Sequence, residues 1–135
     1  MPNVEKLRET LEYIKAHPKE HDQGIWAGKG PCGTTRCMAG TVVHLSPDHE
    51  IIWPKFDPEF HEVGEQLEAE GCRNLRTGTE RQISEVAAEL LDLDEYQEDD
   101  LFYNSTDLRD LYMAANDMTD GAIEIPADVA NADDY

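Results

Sequence analysis

The stretch ISEVAAELL, residues 83–91, constrains the fold more than any other part of the chain. Ile83, Val86, Ala87, Leu90 and Leu91 follow the i, i+3, i+4, i+7 spacing that gathers apolar side chains on one face of an α-helix. Such a face is stable only against another apolar surface. Residues 3–17 offer one: Asn3 can cap a helix, Val4, Leu7, Leu11 and Ile14 repeat at helical spacing, and Pro18 stops it. The two stripes predict a core in which the later helix packs on the first. Thr79 with Gln82 has the spacing of a capping box ahead of the 83–91 helix, and Asp94 with Gln97 repeats it for a short helix through Leu101 and Phe102.

Between these signals the punctuation is dense. Residues 18–33 carry four glycines and two prolines, predicting a loop or short strand anchored by Ile25 and Trp26. A second helix is expected from Thr34 or Thr35 to about Leu45, where Ser46 and Pro47 end it. Residues 48–56 read as a loop pinned by Ile51, Ile52, Trp53 and Phe56. Asp57-Pro58 has the form of a helix opening, predicting a helix with Phe60, Val63, Gly64 and Leu67 inward that ends at Gly71, followed by a connection over 72–78. Ser105 or Thr106 should cap a last helix with Leu108, Leu111, Tyr112 and Ala115 inside. From Asp117 the acidic sequence predicts a loosely attached tail, held only by Ile123, Ile125 and Val129. No alternating strand pattern exceeds a few residues. The expectation is a mainly α fold: a single-domain bundle of about five to six short helices with Trp-anchored loops over 1–116, and a tail over 117–135.

Charge bears on function. The net charge is −19, from 30 acidic and 11 basic residues, and it is uneven. Residues 1–81 hold 14 acids and 10 bases; residues 82–135 hold 16 acids and one base, Arg109. Such a surface repels phosphate backbones and anionic lipid headgroups and attracts basic proteins, apart from conferring solubility. No run approaches the length of a membrane span and no signal-peptide pattern opens the chain, so the expected location is cytoplasmic. Three cysteines, Cys32, Cys37 and Cys72, do not make a secreted disulfide scaffold.

PCGTTRCMAG, residues 31–40, is the stretch that composition explains least. Metal binding would require Cys32, Cys37 and His44 to converge, yet Cys37 and His44 stand seven residues apart, roughly 10 Å along a helix. A catalytic thiol would need a lowered pKa, which a helix N-terminus can supply, and a base from among His17, His21, His44, His49 and His61. The surrounding negative charge acts in the opposite direction. A packed helix start accounts for more: Gly33 permits a tight turn, Thr34 caps, Ala39 and Gly40 let another helix approach closely, and Trp26 packs beside them. No metal, cofactor or catalytic residue is assigned.

The order LRETLEYIKAHPKEHDQGIW, CGTTRCMAG and ISEVAAELLDLDEYQEDDLF resembles a family of small proteins from actinobacteria and their bacteriophages. Its members show a leucine-rich first helix, a Trp loop, a Cys-Gly-Thr-x-x-Cys-x-Ala-Gly segment and a later helix ending in Leu-Phe. The resemblance covers most of residues 4–102. Cys32, Gly33, Thr34, Cys37, Ala39 and Gly40 match the motif, and Trp26, Leu101 and Phe102 match its flanks. It brings no activity with it, but it implies a bacteriophage accessory protein acting in the host cytoplasm.

The functional expectation is a non-enzymatic module that binds a protein with a basic surface, with nucleic-acid mimicry as a special case. The expected surface comprises Asp92, Asp94, Glu95, Glu98, Asp99, Asp100, Asp107 and Asp110, with Tyr96 and Tyr103 as apolar anchors. The alternatives are a thiol- or metal-dependent hydrolase using the Cys32/Cys37 segment, or an anion-binding protein using Arg73, Arg76 and Arg81.

Overall fold

The computed structural model describes residues 2–23, 26–30, 33–55, 57–59, 67–105 and 107–130. Helix predominates, as the apolar stripes require, but two three-stranded antiparallel sheets accompany the helices. In chain order the elements are α1 (Val4–Ala16), a 3₁₀ turn (Pro18–Glu20), β1 (Ala27–Gly30), β2 (Gly33–Arg36), α2 (Met38–Leu45) and β3 (His49–Ile52). Then come β4 (Leu67–Glu68), β5 (Gly71–Asn74), β6 (Glu80–Arg81), α3 (Ile83–Leu91), α4 (Glu95–Glu98), α5 (Leu108–Met118) and α6 (Ala127–Ala130). A π-helical turn, Asp99–Tyr103, continues α4. No helix among the described residues is long and apolar enough to cross a membrane.

The sheets take residues that the sequence assigns to loops or helices. β1 pairs with β2 and with β4, and β5 with β3 and β6. Thr34 and Thr35 do not begin a helix. Their β-branched side chains suit the extended backbone of β2, and α2 starts four residues later than the earliest expected position. Ile51 and Ile52 likewise form a strand, opposite Cys72 and Gly71. Of the helix expected after Asp57, the positions Phe60, Val63 and Gly64 lie outside the described residues. Its later part is corrected: Leu67 pairs with Lys29 in β4, and Gly71 opens β5. Gly71 is not a helix cap but a point of close approach, because a Cβ there would stand 2.8 Å from the Arg81 carbonyl oxygen.

Three of the expected caps change identity. Gln82 stands at the cap of α3 without a side-chain bond, and the Thr79 hydroxyl instead accepts from Thr77. Asp107 caps α5 by accepting from the Asp110 N–H at 2.9 Å, while the Ser105 hydroxyl donates to the Asp100 carbonyl; Thr106 lies outside the described residues. Cys37, not Thr34, caps α2. The Asp94–Gln97 box forms as read, with reciprocal bonds of 2.8 and 3.0 Å.

The core is centred on α2, whose residues Met38 to Val43 are all buried. α3 packs mainly on α2 and α1 also lies against α2, so α2 contributes as much to the core as the two stripes do. Leu7, Leu11, Leu91, Leu101 and Leu111 are fully buried, whereas Leu90 is half-buried. Asp92 ends α3 in the left-handed region (φ 58°), and Leu93 N–H bonds back to the Ala88 carbonyl.

Over its described part, 117–130, the C-terminal segment is packed rather than loose. Ile123 and Val129 are buried in the core. Arg8 donates to the Ala122 carbonyl, Asn116 to the Ile123 carbonyl and Arg109 to the Val129 carbonyl, and Lys15 pairs with Asp128 at 3.0 Å. Two well-placed apolar side chains anchor a stretch whose average composition is polar.

Candidate functional site

Cys37 ties the start of α2 to the Trp26 segment. Its thiol sulfur accepts from the Gly40 N–H (3.5 Å) and donates to the Trp26 carbonyl, which also accepts the Cys37 N–H at 3.3 Å. Gly40 sits against the same carbonyl: a Cβ added there would be 1.8 Å from the Trp26 oxygen. The small residue therefore accommodates the Trp26 backbone, not a neighbouring helix as expected. Ala39 is buried in the core beside it. Gly33 and Thr34 belong to β2, and Cys32 lies outside the described residues.

Gln23 extends this junction. Its side-chain oxygen accepts from the Met38 N–H (3.1 Å), and its amide donates to the Phe102 carbonyl (3.3 Å). The motif around α2 is thereby tied to the π-helical turn. In that turn Asn104 N–H reaches back five residues to the Asp99 carbonyl, burying Leu101 and Phe102 and leaving Tyr103 57% exposed. Trp26 meets Tyr103 edge-to-face, with centroids 5.4 Å apart at 86°, and Phe102 at 6.5 Å and 87°. Gln23, Trp26, Ala27, Glu68, Ala69, Phe102 and Tyr103 line an open cleft of about 340 Å³. Gln23 and Glu68 gave no sequence signal, because only the fold brings them to Trp26.

The acidic residues separate by role. Asp94 and Asp107 are helix caps, Asp110 follows in the first turn of α5, and Asp92 holds the left-handed end of α3. Glu95, Glu98, Asp99 and Asp100 continue along α4 and the π-helical turn, with Tyr96 83% exposed among them. Asp92, Glu95, Glu98, Asp99 and Asp100 form no ion pair among the described residues. Burial, followed by the charges of Asp99, Glu95 and Glu85, holds the Glu98 carboxyl above its ordinary range. By contrast, Arg73 pairs with Glu50 and Glu80, Arg76 with Asp48, and Arg81 with Glu85 and Glu89. These arginines are engaged within the fold, which argues against the anion-binding alternative.

A second polar group is structural. Arg36, 7% exposed, pairs with Glu20 at 3.2 Å, and Glu20 also accepts the Tyr13 hydroxyl at 2.7 Å. The Tyr13 hydrogen bond first, and then Arg36, hold the Glu20 carboxyl below its usual range against desolvation, which acts to raise it. The network joins β2, the 3₁₀ turn and α1 immediately before Cys37.

Cys37 lacks the character of a nucleophile. It is 1% exposed, and burial pushes its thiol up to about 11. Among the described residues no group of three His, Cys, Asp or Glu side chains is placed to hold a metal ion. Cys37 should therefore resist iodoacetamide in the folded protein at pH 8 and react once denatured, as followed by peptide mass mapping. Rapid labelling of folded Cys37 would restore the thiol reading.

Comparison with protein-family models, curated proteins and solved structures gives no match.

Proposed function

We propose that this protein is a non-enzymatic binding module that engages a basic protein surface through the ridge formed by Asp92 and Glu95–Asp100 with Tyr96 and Tyr103. One observation carries the reading: among the described residues Asp92, Glu95, Glu98, Asp99 and Asp100 stand together without ion pairs beside two exposed tyrosines, whereas Asp48, Glu50 and Glu89 are each matched to an arginine. Unpaired carboxylates steer a basic partner and set orientation, and exposed aromatic rings supply contact area at the centre of an interface. The resemblance to bacteriophage proteins makes the partner a host protein and the binding a means of modulating it. Duplex nucleic acid would be repelled by the same charge.

The test compares the protein with the combined variant Glu95→Lys, Glu98→Lys, Asp99→Lys, first in capture from host lysate and then in association kinetics with the recovered protein. The association rate should fall about ten-fold at low ionic strength, and the difference should narrow near 1 M salt, where the Debye length is about 3 Å. The fold should survive, since relief of repulsion around Glu98 offsets the lost attraction of acids for the N-terminus of α4. An unchanged rate at low salt would remove the ridge from the function.

A further inference from the structure

We infer that the cleft beside Trp26 receives an arginine side chain of the basic partner, an inference that rests on the ridge reading above. Its walls are aromatic and nearly perpendicular, with Tyr103 at 86° and Phe102 at 87° to Trp26. The negative faces of such rings attract a cation, and a planar guanidinium can stack on one wall. Glu68 is the one charged residue lining the cleft among the described residues. Its exposed carboxylate supplies an acceptor suited to the N–H fork. The Gln23 amide oxygen is not available to accept from the guanidinium, since it already bonds to the Met38 N–H and to His21.

Placement and charge favour the same occupant. Tyr103 is both a cleft wall and the end of the acidic ridge, so a basic segment drawn to Glu95–Asp100 arrives at the mouth of the cleft. A neutral apolar side chain would gain little from Glu68, and an acidic one would be repelled by it. The hydrogen bonds from α2 to the Trp26 backbone hold one wall in place before binding, which lowers the ordering cost.

The probe is a synthetic peptide carrying one arginine between lysines, titrated into the full chain and followed by two-dimensional NMR. A matched peptide has citrulline at the arginine position, keeping the shape and losing the charge. The Trp26 indole N–H and the Tyr103 amide should shift saturably with the arginine peptide, and the citrulline peptide should bind about ten-fold more weakly. Tyr103→Ala and Glu68→Gln alter exposed side chains and should leave the protein folded. Each should lower arginine-peptide affinity toward the citrulline value, and Glu68→Gln, which lies outside the ridge, should leave the peptide-induced shifts at Glu95 and Asp99 in place. Equal response of Trp26 to both peptides would overturn the inference. Shifts confined to Glu95–Asp100 would overturn it too, while leaving the ridge reading standing. No shift at either place would remove both.

Discussion

Gly40→Ala should destabilise the protein by about 3 kcal/mol, the upper end of the usual cost of overpacking a core. The added methyl carbon would fall 1.8 Å from the Trp26 carbonyl oxygen, and both sides of that contact are backbone. No side-chain rotation relieves it; either α2 or the Trp26 segment must shift. A shift would stretch the Cys37 N–H bond to the same carbonyl, 3.3 Å in the native fold, and displace the Trp26 ring from Tyr103. Two measurements check this: urea denaturation should show the loss of stability, and the Trp26 indole resonance should move even in the folded fraction. A loss below about 1 kcal/mol with an unmoved indole would mean that the backbone approach at Gly40 is not as close as described.

Leu91→Ala should cost about 2–5 kcal/mol, because Leu91 is fully buried and a truncated side chain leaves a cavity as well as losing transfer energy. Leu90→Ala, one residue earlier, should cost about 1 kcal/mol, since Leu90 is already half in water and its site can be refilled by solvent. Chemical denaturation of both variants gives the comparison directly. Equal losses would show that the α3 stripe is buried over its whole apolar width, the arrangement that the sequence spacing suggests. The difference arises because α3 packs mainly against α2, whose fully buried segment draws Ile83, Val86, Ala87 and Leu91 inward and leaves Leu90 at the margin.

The Cys-Gly-Thr-x-x-Cys-x-Ala-Gly segment shows how far local reasoning reaches. Its packing character was legible: small residues, a buried thiol and a nearby tryptophan belong together in a core. Its geometry was not. Gly40 by its sequence suggests a contact point for a helix, but its neighbour is a carbonyl 14 residues earlier in the chain. Cys37 takes the capping role expected of Thr34, because pairing of β2 with β1 holds the threonines in extended backbone.

What the sequence determined alone are the features encoded within one or two helical turns. The stripes at 4–14 and 83–91 and the Asp94–Gln97 box depend on neighbours three or four positions away, so spacing suffices to read them, and the acidity after residue 81 is composition alone. What only the tertiary structure decided depends on distant partners. Strands of two to four residues are too short to show alternation and form because β1 meets β4 and β3 meets β5 across long separations. The anchoring of 117–130 rests chiefly on Ile123 and Val129, two apolar residues that composition averages away. The cleft belongs to the same class: Gln23, Trp26, Glu68 and Tyr103 become neighbours only when the Gln23 side chain, accepting from the Met38 N–H and donating to the Phe102 carbonyl, ties α2 to the π-helical turn. Close approach of backbone to backbone leaves almost no trace in a sequence beyond a glycine, and a glycine alone does not say what it makes room for.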